Sequence, residues 1–139
     1  MSAGSAFTLD LRKFAEKAGN AADLVIKKIC LDLTSSIVLK TPVDTGRARA
    51  NWQASVGQPD NSITTSTDKS GRAAISAAST AASKAPGKIF YLTNNLPYIA
   101  SLEFGLYNAG PKTIGGFSNQ APNGMVRISI NEVQRALRL

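Results

Sequence analysis

Histidine is missing from this chain, and cysteine occurs once. Without histidine, the commonest general base and the commonest metal ligand are both gone. That argues against most hydrolases and metalloenzymes. A lone Cys30 excludes an intrachain disulfide and a cysteine metal cluster. Set in an apolar helical pattern, it reads as a small buried hydrophobe rather than a nucleophile. No apolar run approaches the roughly 18 residues of a membrane span. The opening Met1-Ser2-Ala3-Gly4-Ser5-Ala6 lacks the basic start and apolar core of a signal peptide, and residues 1–7 read as a flexible arm. No glycine-rich loop ends in Gly-Lys-Ser/Thr, so a phosphate-binding loop is missing too. No cofactor is expected.

The length of 139 residues fits one domain spanning 1–139. Acidic residues are scarce: nine Asp and Glu stand against sixteen Lys and Arg, a formal charge of +7. Such a charge invites a nucleic-acid partner. Its distribution weakens that reading, because residues 1–50 carry +3 and residues 51–139 carry +4, with no basic run and no aromatic–basic interleaving. A small basic nucleic-acid-binding protein is the alternative function, its positive patch assembled only in the fold or in an oligomer.

The pattern predicts an α+β protein: a long N-terminal helix packed on a small antiparallel sheet, with further short helices and long loops. Leu11, Phe14, Ala18, Ala22, Val25, Ile29, Leu33 and Ile37 recur at helical spacing, giving a helix over 9–40 capped by Thr8, with Gly19-Asn20 able to bend it. Leu24, Leu31, Val38 and Leu39 widen its apolar arc, which implies burial on both sides, by its own domain and by a neighbouring subunit. Pro42 stops it. After Gly46 the period becomes two. Ala48, Ala50, Trp52, Ala54 and Val56 alternate with Arg47, Arg49, Asn51, Gln53 and Ser55, which predicts a strand anchored by Trp52 with an exposed arginine face. Residues 57–71 read as an exposed loop and 72–84 as an alanine-rich helix with little to bury. A strand is expected at 88–93, a turn at 94–97, a short helix from Pro97 to Phe104 ended by Gly105, and a long exposed loop at 106–123. From Gly124 onward strand and helix patterns both fit, and helix is preferred.

Asp44-Thr45-Gly46 is the triplet of aspartic proteases, where two copies share one proton between carboxylates. Here it follows a helix end and precedes Arg47, whose charge would hold the carboxylates ionised. A dimeric protease using Asp44 is therefore only a distant third reading. As a turn, Asp44 would accept a bond from the amide of Gly46 or Arg47, and Gly46 would supply a positive φ. Replacing Asp44 or Gly46 is then expected to cost about 1–2 kcal/mol.

Three segments occur in order. The first is Thr41-Pro42-Val43-Asp44-Thr45-Gly46, leading to Arg49 and Trp52. The second is Tyr91 through Tyr98, then Leu102-Glu103-Phe104-Gly105. The third is Ser118-Asn119-Gln120-Ala121-Pro122-Asn123-Gly124-Met125-Val126-Arg127. Together they resemble the tail-completion and head–tail joining family of tailed bacteriophages, over about residues 8–135. Residues 106–117 depart from the family pattern, their extra Gly and Pro lengthening the loop. The resemblance implies a structural virion protein and no enzyme. It implies a hexameric homo-oligomer ring at the neck, touching the tail tube protein and the head connector, with DNA passing through unread. It places the protein in the virion, after assembly in the host cytoplasm, away from membranes. Arg47, Arg49, Tyr98, Glu103, Phe104, Gln120 and Pro122 are the expected surface for a neighbouring subunit or partner.

Overall fold

The computed structural model describes residues 7–10, 23–84 and 87–136. A strand, β1 (Phe7–Asp10), comes first, and α1 (Asp23–Lys40) follows. Next come a one-turn helix α2 (Arg47–Ala50), β2 (Gln53–Val56), α3 (Arg72–Ser83), β3 (Phe90–Asn94) and α4 (Ile99–Phe104). A small hairpin of β4 (Thr113–Ile114) and β5 (Phe117–Ser118) leads to the last helix, α5 (Val126–Ala136). The fold is α+β, as expected. β1, β3 and β2 form an antiparallel sheet in that order. The central Thr93 pairs with Thr8 on one side and Gln53 on the other.

Two expectations about the elements are corrected. Leu9 and Asp10 belong to a strand rather than to the long helix, and Thr8 pairs in the sheet instead of capping. Residues 11–22, with the Gly19-Asn20 bend, lie outside the described residues, as do residues 1–6 of the arm. The aromatic and β-branched Phe7-Thr8 suits a strand, and pairing with β3 decides where local propensity is weak. The second correction concerns 47–56, whose first half is helical: Ala50 N donates to Gly46 O at 3.0 Å. The alternating small residues there are alanines, which favour helix, so the period-two pattern carried little strand information.

The core runs along α1. Ile26, Ile29, Leu33 and Ile37 form the buried stripe, and Cys30 and Val38 form a second buried row beside it. Full burial of each large aliphatic side chain is worth roughly 1.5–3 kcal/mol. Part of the wide apolar arc is covered by this chain itself, since α1 packs on α3 and on α5 and Val38 is buried, whereas Leu39 is 52% exposed. The alanines of α3 are not idle. Ala74, Ala78 and Ala82, four apart, are all buried against α1 and the sheet, where small side chains let the elements approach closely. From the sheet, Phe90 and Leu92 fill the centre.

The segment before α3 stays a loop, as expected, but it is tied down. Asn51 accepts from Thr64 N at 2.9 Å and donates to Thr64 O at 3.0 Å, and Asn95 donates to the carbonyls of Asp60 and Ser62. At the start of α3 the Asp68 carboxylate accepts from Ser70 Oγ and, at 2.8 Å, from Ala73 N. These bonds, the Ser70 hydroxyl first, hold its pKa below the ordinary carboxylate value. Among the described residues no helix is long and apolar enough to cross a membrane.

Candidate functional site

α1 ends with four backbone carbonyls that its own turns cannot satisfy. Arg49 reaches back to them. Its guanidinium donates to Leu39 O at 2.7 Å, Thr41 O at 2.9 Å and Lys69 O at 2.7 Å. A cation also suits the negative end of the helix dipole. Thr41 links this end to the tryptophan: its buried hydroxyl donates to Ile37 O at 2.7 Å and accepts from Trp52 Nε1 at 2.8 Å. Arg47 donates to Thr64 O at 3.4 Å. Arg47 and Arg49 therefore do not stand on an exposed strand face. Both lie on α2 with guanidiniums turned to backbone of the same chain.

The corner itself works differently from the expectation. Gly46 does adopt a positive φ, +90°. A Cβ there would come within 2.6 Å of Lys69 N, so the returning loop leaves room for glycine only. The turn bond, however, comes from Thr45, whose Oγ1 accepts from Arg47 N at 3.2 Å. Asp44 is exposed, and no described residue bonds its carboxylate. A hydroxyl one residue on satisfied the amide that Asp44 was expected to bind.

The second and third segments close on this corner. Asn94 accepts from Leu96 N and donates to Ala48 O, fastening β3 to α2. The Gln120 amide meets Val43 like a strand partner, accepting from Val43 N at 2.8 Å and donating to Val43 O at 3.0 Å. Glu103 is the largest correction. Expected at an interface, it is 1% exposed and seated at the start of α5. One carboxylate oxygen accepts from the amides of Met125 and Val126 at 2.8 Å, and the other from Arg127 N at 3.1 Å and Arg127 Nε at 3.0 Å. An anion at a helix N-terminus satisfies unpaired amides and complements the dipole. Gly124, at φ +77°, lets the chain pass within this distance, since a Cβ would meet Glu103 O at 2.6 Å. In the sequence the only hint was a single acid set between Leu102 and Phe104.

Of the other expected surface residues, Tyr98, Phe104, Gln120 and Pro122 are at the surface. The Phe104 ring lies under the Arg127 guanidinium, 4.8 Å from its centroid. Pro42, Val43, Asp44, Thr45 and Arg47 line one wall of a cleft of about 640 Å3. Tyr98, Leu102, Tyr107, Lys112 and Gln120 line the rest. The three ordered segments thus meet at one concavity. Burial, and then the neighbouring Tyr98, push the pKa of the Tyr107 phenol above its ordinary value.

The long loop before α5 is more ordered than composition suggested. Thr113 Oγ1 accepts from Gly110 N at 2.8 Å, Asn119 N donates to Lys112 O at 2.9 Å, and Tyr107 N donates to Gly116 O at 3.0 Å. The hairpin holds up Ile114, 59% exposed, and Leu106, just after α4, is 67% exposed. Neither stood out in the sequence, where glycines and prolines dominate the segment. Among the described residues no group of three or more acids and cysteines is placed to hold a metal ion. Comparison with protein-family models, curated proteins and solved structures finds no match for this chain.

Proposed function

We propose that this chain is a structural virion protein of a tailed bacteriophage, a ring-forming subunit that joins the tail tube to the head connector and lets DNA pass. One observation carries the reading. Three segments that resemble the joining family in sequence, and lie far apart in it, hold one another through side-chain bonds to backbone and shape a single cleft. Their polar residues are spent on architecture: Arg49 and Glu103 serve opposite ends of two helices, and Asn94 and Gln120 clamp loops. Residues committed in this way suit a part that must keep its shape under load. In this reading the protein works in the virion neck, as a homo-oligomer.

The test is imaging of assembled particles carrying a tagged subunit. Label at the head–tail junction is expected; label elsewhere, or particles that join heads to tails without the subunit, would overturn the reading. The nucleic-acid alternative rests on the +7 charge. It makes a separate prediction, duplex binding that falls steeply with salt.

A further inference from the structure

We infer that the cleft takes a short acidic segment of a different protein, one that sets an aspartate or glutamate beside an apolar side chain. This goes beyond the ring reading and holds whether or not the chain forms a ring. The cleft has the volume of a binding site, about 640 Å3. Its charged lining is Arg47 and Lys112 against Asp44 alone, so an anion is favoured. The donors there are also uncommitted. The Lys112 ammonium, the hydroxyls of Tyr98 and Tyr107 and the side-chain amide of Asn119 carry no hydrogen bond among the described residues. Arg47 gives only Nε, to Thr64 O at 3.4 Å, and keeps both terminal nitrogens. Arg49 makes the contrast, with all three nitrogens bonded to backbone carbonyls. Beside the donors stand Pro42 and Val43, both half-buried, a surface for an apolar side chain.

A carboxylate that accepts from a guanidinium or an ammonium makes a charge-assisted bond. Nucleic acid fits this lining less well. Duplex DNA carries one charge per roughly 1.7 Å of axis and is gripped by many cations at once. Two cations beside an acid do not make such a track, and the chain has no basic run. A second copy is a poor source of the acid. Of the acids with described side chains, Asp44 lies in the cleft itself. Asp32, Glu132 and Glu103 pair with cations of their own chain, and Asp60 and Asp68 bind hydroxyls of their own turns. That points to a different protein as the partner.

Panning the full chain against short random peptides tests the occupant, with fluorescence anisotropy of those recovered. Recovered sequences should be enriched in Asp and Glu next to an apolar residue. Lys112→Glu should raise their dissociation constant about fivefold or more, and Arg47→Gln about threefold. Asp44→Asn should lower it, because the one repelling carboxylate is gone. Lys88→Glu alters the net charge as much as Lys112→Glu, at an exposed site outside the cleft, and should change binding by less than about twofold. Circular dichroism melting checks that each variant folds. Peptides without acid enrichment, or none recovered, overturn the proposal. Equal weakening by Lys88→Glu and Lys112→Glu overturns it too, since bulk charge would then be the cause. Short duplex DNA that binds more tightly than the peptides, and is lost with Lys112→Glu, would assign the cleft to nucleic acid. Wild-type self-association that Lys112→Glu abolishes would make the occupant a second copy. Either result overturns the proposal. The place of the subunit in the virion is decided separately, by the tagged particles.

Discussion

Asp44 and Gly46 are two residues apart and were equal partners in the sequence reading of the turn. Structure separates them. Asp44→Ala should leave stability within about 0.5 kcal/mol, because its carboxylate is exposed and unbonded. Gly46→Val should cost about 2 kcal/mol or more, since it forces a β-branched residue to positive φ against the Asp68-Lys69 backbone. Urea midpoints compare the pair, and equal shifts would contradict this account. Glu103 is a sharper case. Glu103→Ala leaves three amides and a guanidinium without their acceptor and should cost about 3 kcal/mol. Glu103→Gln keeps one acceptor oxygen and should recover part of that loss. If Ala and Gln unfold at the same urea concentration, the cap is not what stabilises α5. Glycine at a turn was legible because only backbone geometry was involved. The role of Glu103 was not, because its partners lie 22 to 24 residues away and no local rule points to them.

Helices and strands were legible where apolar spacing was long and regular. The stripe of α1 and the alanine helix α3 follow from the sequence. The switch from helix to strand inside 47–56 does not, because the alternating residues there are mostly alanines, whose helix propensity competes with the period-two pattern. The α3–α1 seam is tight, with Ala78 fully buried. Ala78→Leu should therefore destabilise by about 1–3 kcal/mol, despite a better match to an apolar core. A rise in the thermal midpoint would show that the seam has slack. Where α3 begins, Asp68 has a depressed folded pKa. Its contribution is present above the unfolded value, close to the ordinary 3.8, and fades as pH falls through the lower folded value. Amide exchange in the first turn of α3 should accelerate over that acid range. Asp68→Asn should show the faster exchange already at neutral pH and lose the acid step. An acid step that persists in the variant would assign it to another group.

At the scale of the molecule, the α+β class and the order of the three segments were readable, while β1, the one-turn helix α2 and the β4–β5 hairpin were not. That they meet at one cleft was not, because the Gln120–Val43 clamp spans 77 positions and depends on the whole fold. The exposed Ile114 was hidden for a related reason: a two-residue strand gives no periodicity to detect. Cys30 carries a further consequence. It is the only thiol, it is 0% exposed, and it sits where α1 meets the alanine face of α3. A thiol reagent can reach it only when that seam parts, so modification of Cys30 times the opening of the core. Labelling of the native chain should run orders of magnitude slower than in denaturant, and fast native labelling would contradict the packing described. Ala78→Leu, if it wedges the seam, should quicken the same clock. The chain thus carries its own stopwatch for breathing motions, readable with one thiol reagent and no engineered cysteine.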